Sequence, residues 1–94
     1  MATVMKMFWP GLTAKHYEDV RRDTNFEGNK PAGGKYHVAW VTSEGLHVLD
    51  VWESGKAFDA FVQSRLMPSA KKLGIPGEPK VELFEAHNTF APNP

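Results

Sequence analysis

The sequence contains no cysteine, which excludes disulfides, thiol nucleophiles and cysteine-ligated zinc or iron–sulfur centres. It has no excess of either charge: 11 Lys and Arg stand against 11 Asp and Glu, mixed along the chain. Nucleic-acid binders and polybasic membrane patches draw their affinity from clustered Lys and Arg, so neither partner is expected. No apolar run approaches the roughly 20 residues of a membrane span, and no signal-type apolar region opens the chain. A cytoplasmic protein is expected. No phosphate loop is present, because no Lys-Ser/Thr follows Gly33-Gly34 and no G-x-G-x-x-G opens a helix. No serine sits in a G-x-S-x-G elbow. The 4 histidines lack the H-x-H or H-x-x-x-H spacing that places two ligands on one metal, so neither metal nor cofactor is expected.

What is present is globular. Apolar residues make up 41% and charged residues 23% of 94 residues, enough for one domain over 1–94. A chain of this size buries only roughly 60–65% of its unfolded surface, so oligomerisation would add stability.

Thr3 to Trp9 reads as a strand ended by Pro10-Gly11. Thr13 is an N-cap for a helix over 13–25 whose inner face carries Tyr17, Val20 and Thr24. Glu27 to Gly34 is loop by composition. Lys35–Thr42 and Leu46–Glu53 are β-rich runs joined around Ser43-Glu44-Gly45, a hairpin. Ser54 caps a second helix with Phe58, Phe61, Val62 and Leu66 on one stripe. Pro68 is expected to break or restart it near Met67, with a short turn to Gly74. Lys80–His87 is a last strand and Asn88–Pro94 a tail. The order β-α-β-β-α-β gives a four-stranded antiparallel sheet with both helices on one face, an α+β ferredoxin-like arrangement. The other face is left bare, and two copies packed through it form the expected homodimer.

With Glu44-Gly45 as the central turn residues, His37 faces Trp52, Ala39 faces Asp50 and Val41 faces Val48, all on one side. Val38, Trp40, Leu49 and Val51 share the other. A slip in the turn changes partners but not the alternation within each strand. Asp50 stands out, because aspartate suits a strand centre poorly and an unpaired buried carboxylate is costly. Two readings follow. In one, His37 is a general base oriented by Asp50, with Trp52 as a flat wall for an aromatic substrate. In the other, the three form a structural polar cluster at a dimer interface. Trp40, Arg65 and His87 are further candidates for contact with a substrate. Trp40 is equally a core or interface residue, Arg65 a snorkelling helix-edge arginine, and His87 a solvated strand end.

Three stretches carry a family resemblance: Met5-Lys6-Met7-Phe8-Trp9-Pro10-Gly11-Leu12-Thr13, Asp50-Val51-Trp52-Glu53-Ser54 with Phe58-Asp59-Ala60-Phe61, and Val81-Glu82-Leu83-Phe84. In these the chain resembles the dimeric α+β barrel proteins of the ferredoxin-like superfamily, antibiotic-biosynthesis-monooxygenase-like, and small bacterial members most. The resemblance implies a homodimer and a small-molecule ligand, and a cofactor-independent monooxygenase acting on an aromatic or polycyclic compound. The alternative is a non-catalytic ligand-binding or stress-associated dimer. Haem-degrading members use an Asn, Trp and His set that finds no residue-by-residue match here. An open pocket holding His37 or Asp50 would favour the enzyme, and a filled sheet–helix space its rival.

Overall fold

The computed structural model describes residues 2–92, so the last two positions of the expected tail lie outside it. The elements are β1 (Thr3–Pro10), α1 (Ala14–Thr24), β2 (Gly34–Thr42), β3 (Gly45–Trp52), α2 (Gly55–Phe61), a π turn (Val62–Leu66), α3 (Met67–Leu73) and β4 (Lys80–Glu85). They form one antiparallel sheet in the order β2-β3-β1-β4. The helices cover one face. This is the α+β ferredoxin-like fold that the element order implies.

Local chemistry sets the helix ends. Thr13 caps α1, its hydroxyl accepting from the His16 amide at 3.3 Å, while His16 Nδ1 accepts from the Thr13 amide at 3.0 Å. A histidine thus fills the place usually taken by Glu or Gln in a capping box. Ser54 caps α2 by accepting from the Ala57 amide at 3.1 Å. Gly74 ends α3 at φ 65°, a left-handed conformation that glycine adopts without a side-chain penalty.

The segment after Met67 departs from the expected turn: the helix continues to Leu73. Proline inside a regular helix loses one amide donor and clashes with the carbonyl four residues back. Here the chain widens before Pro68, and the Met67 amide reaches the Val62 carbonyl, five residues back. The π turn makes room for the ring and keeps the axis going. The expected stripe survives, with Phe58 buried and Phe61, Val62 and Leu66 packed against the core.

The hairpin register also differs from expectation. Thr42 pairs with Gly45, so Ser43-Glu44 are the central turn residues and the pairs become Val41–Leu46, Ala39–Val48 and His37–Asp50. Gly45 is consumed by β1 instead of by the turn. It lies opposite Pro10 at φ 146°, and a Cβ there would sit 2.3 Å from the Trp9 carbonyl oxygen. The shift is two residues, so each strand keeps its faces. β4 stops at Glu85, two residues short of the expected end, because β1 begins at Thr3; only the Ala86 amide reaches further, to the Ala2 carbonyl at 2.9 Å.

Met5, Met7, Trp9, Leu46, Val48 and Trp52 line the helix side of the central strands and form the core with Leu12, Phe58 and Ala70. The Trp9 indole donates to the Pro76 carbonyl at 2.9 Å and ties down the α3–β4 loop. On the open face His47 lies between Phe8 and Trp40, with ring centroids 4.8 and 5.2 Å away. Tyr36, Val38, Trp40, Leu49 and Phe84 are exposed. No helix among the described residues is long and apolar enough to cross a membrane.

Candidate functional site

The helices do not close onto the sheet. Between them lies a cavity of about 420 Å³, with Met5, Met7 and Val48 on its floor and Phe58, Phe61 and Leu66 among its helical walls. Small-molecule sites commonly span ~300–1,000 Å³ with a few converging polar groups in an apolar lining. Four such groups meet here.

β-strand alternation aims Asp50, Trp52 and His37 at the helices, and the observed register sets His37 directly opposite Asp50. Asp50 is 7% exposed and spends both oxygens: His37 Nδ1 is 2.6 Å from Oδ1, and the Trp52 indole donates to Oδ2 at 3.0 Å. A carboxylate only accepts, so His37 meets Asp50 with a proton on Nδ1, and in the tautomer that leaves Nε2 bare that nitrogen offers a lone pair outward. That lone pair meets the Tyr17 hydroxyl at 2.7 Å. The result is a continuous line, Tyr17–His37–Asp50–Trp52, in which every donor has an acceptor.

The rings are held as well as the polar atoms. Tyr17 lies nearly parallel to His37 at 6.0 Å between centroids, and Phe26 meets His37 edge-on at 5.0 Å. Trp52 packs edge-to-face on Phe58 at 5.6 Å. Burial pushes the Tyr17 phenol above its ordinary value of 10.0; Arg21 opposes this, and Glu27, Glu18 and Asp50 reinforce it. Tyr17 is therefore a neutral donor at physiological pH. Proton transfer along this line would leave an imidazolium beside the Asp50 carboxylate, the arrangement that makes histidine an effective base.

The sequence candidates separate. His37, Asp50 and Trp52 come together at the cavity, and the Trp52 indole serves Asp50 as a donor besides forming wall. Trp40 lies on the opposite sheet face, 46% exposed and stacked on His47, because it is three residues from His37 and strand parity reverses its direction. Arg65 is turned away by the π turn. It donates to the Thr24 carbonyl at the end of α1 at 2.6 Å and lies 5.4 Å from the Phe61 ring centre. There it borders a separate space of about 230 Å³ with Asp23, Ser69 and Lys72. His87 is exposed beyond β4 and does not line the cavity. Tyr17 has the largest consequence among residues the sequence does not flag as functional. Its place on the inner face of α1 was the only signal, and that is equally the signature of a core residue. Among the described residues no group of three or more His, Asp or Glu side chains is placed to hold a metal ion.

Comparison with known proteins places this architecture. No protein-family model matches the chain, and no curated protein matches its sequence. Solved structures do. SnoaB from Streptomyces nogalater, a cofactor-independent oxygenase, is 23% identical over 94% of each chain, with a TM-score of 0.63. A protein of unknown function from Nitrosomonas europaea is 12% identical over 99% of this chain and 95% of that one, with a TM-score of 0.71. A Deinococcus radiodurans protein assigned to antibiotic biosynthesis monooxygenases is 13% identical over 97% of each, with a TM-score of 0.56. At these identities the likeness establishes the fold. The chain thus has an α+β ferredoxin-like fold, one shared by a cofactor-independent oxygenase and by a protein of unknown function.

Proposed function

We propose that this chain is a cofactor-independent monooxygenase-like enzyme that oxidises an aromatic or polycyclic small molecule. The observation that carries the reading is the Tyr17–His37–Asp50–Trp52 line at the edge of an open cavity of about 420 Å³. SnoaB, described as a cofactor-independent oxygenase, supports it through the shared fold. The substrate class that suits both is a phenol or anthrone whose conjugate carbanion reduces oxygen without help.

Tyr17 faces the cavity and touches substrate. It accepts the substrate proton as its own passes to His37 Nε2, and the imidazolium is held against Asp50. Trp52 keeps Asp50 in place and water away from its second oxygen. For an anthrone the balance is Ar2CH2 + O2 → Ar2C=O + H2O. Both C–H bonds break, one oxygen atom forms the new carbonyl, and the other leaves as water carrying both protons. The carbon loses the four electrons that O2 gains.

The working form in this reading is a homodimer joined through the open sheet face. Exposed apolar residues there, Tyr36, Val38, Trp40, Leu49 and Phe84, are what an obligate interface covers. Light scattering at micromolar concentration should give twice the 10.5 kDa chain mass; a clean monomer ends the dimer proposal.

Oxygen uptake with a panel of hydroquinones and anthrones tests the activity, with haem titration as a parallel spectroscopic check. His37→Gln should lower turnover by a factor on the order of 100 while circular dichroism and oligomeric state persist. Binding of the same compounds without oxygen uptake would establish the ligand-binding alternative. If His37→Gln unfolds or dissociates the protein before activity changes, the polar line is structural.

A further inference from the structure

We propose that the mouth of the cavity selects aromatic substrates bearing an anionic substituent, a carboxylate foremost, which Lys30 and Lys35 hold while the flat ring system lies inside. The proposal rests on the functional reading above and adds the substrate's charge to it.

All exposed residues that line the cavity, Glu27, Lys30, Gly34, Lys35, Tyr36 and His37, belong to the segment joining α1 to β2 and the start of β2, which places an opening there. The remaining lining residues are buried or half-buried, and most are apolar. An incoming ring system therefore meets the Tyr17–His37–Asp50 line inside the cavity and charged side chains at this rim.

The Glu27 carboxylate takes a guanidinium fork, with Arg21 Nε on Oε1 at 2.7 Å and Nη2 on Oε2 at 3.0 Å, and the same guanidinium also donates to Glu18 at 3.1 Å. Lys30 and Lys35 form no ion pair and no side-chain hydrogen bond among the described residues, and they are the two lysines that line the cavity. Glu53 comes near this segment at Gly33 but does not line the cavity. The apolar cavity thus opens past two lysines that no carboxylate holds in a direct pair.

The segment carrying them is anchored. The Glu53 amide donates to the Gly33 carbonyl at 2.7 Å, and the Gly34 amide donates to Pro31 at 3.2 Å. Lys35 precedes His37 by two residues on β2, at the bulge where the register with β3 shifts between Gly34 and Tyr36. An anion on the outward end of a polycycle would meet the lysines while the inner ring reaches Tyr17 and His37. Exposed charge pairs contribute modestly, so the two lysines together should favour an anionic ligand about 5-fold over its neutral counterpart. Salt should erode that preference.

The test is binding and needs no turnover. Anthraquinone carboxylate and the matching neutral hydroxymethyl anthraquinone are titrated against the full chain, following quenching of Trp9 and Trp52, which line the cavity. The carboxylate should bind about 5-fold tighter at low ionic strength. The double variant Lys30→Gln with Lys35→Gln should lose that preference and keep the affinity for the neutral probe. Equal affinity of the two probes, or a preference that survives in the double variant, overturns the charge selection and leaves the oxygenase reading standing. If neither probe binds, the aromatic-substrate reading itself fails, and the charge selection with it.

Discussion

Asp50→Asn should reverse the hydrogen-bond line while sparing the fold. The Trp52 indole can only donate, so the new amide must turn its oxygen toward it. Its NH2 then faces His37 Nδ1, which has to become an acceptor. The imidazole proton moves to Nε2, which donates to the Tyr17 oxygen, and the Tyr17 hydroxyl proton turns away. A charge-assisted bond is worth about 1.5–3 kcal/mol and a neutral one about 1, so two weakened bonds cost about 2 kcal/mol. Relief from burying a carboxylate offsets part of this, leaving about 1 kcal/mol, or about 5 °C in Tm for a domain this small. Asp50→Ala instead strands the Trp52 N–H, on a residue 4% exposed, with no acceptor. That variant should lose about 3 kcal/mol, or about 15 °C. Nitrogen–proton correlation NMR of the imidazole reads the tautomer, and thermal melts read the stability. Wild type should carry its proton on Nδ1 and Asp50→Asn on Nε2, with turnover down about 100-fold. An unchanged tautomer, or an Asn variant that melts as low as the Ala variant, would refute the reasoning.

Tyr17 gives a prediction in alkali. Its phenol is held above the ordinary value of 10.0, first by burial, so the folded chain keeps the proton after the unfolded chain has lost it. This contribution is fully present below pH 10.0 and is lost as pH rises through the folded value. Stability should therefore fall above about pH 10, and Tyr17→Phe should flatten that fall. Ultraviolet titration of the 2 tyrosines should show one late step, absent in Tyr17→Phe. Two glycines offer a structural check by chemical denaturation. Gly45→Ala places a methyl 2.3 Å from the Trp9 carbonyl at φ 146° and should cost more than about 3 kcal/mol, whereas Gly74→Ala meets nothing within 4 Å and should cost about 1 kcal/mol. Equal losses at the two sites would show that β1 does not press on Gly45.

Features that depend on neighbours along the chain are legible in the residues alone. The caps at Thr13 and Ser54 and the stop at Gly74 follow from side chains and backbone freedom within a turn of the helix. His37, Asp50 and Trp52 share a face because strand alternation has period 2, and a register shift of two residues cannot move them off it. Trp40 is excluded from the cavity by the same rule. The other features depend on contacts between elements distant in the chain. The turn moved to Ser43-Glu44 because β1, more than thirty residues away in the chain, leaves no room for a Cβ at Gly45. The helix ran past Pro68 because one π turn costs less than exposing the apolar stripe that α2 and α3 lay on the core. Arg65 turned to the end of α1 instead of the cavity because the wider turn rotates it there. Tyr17 reached His37 only because α1 is set with Tyr17 against β2, a packing of elements that no local pattern in residues 13–25 records. The cavity is of the same kind: it is the volume left where helices and sheet fail to meet, and its size depends on how far apart packing sets them rather than on any one segment's composition.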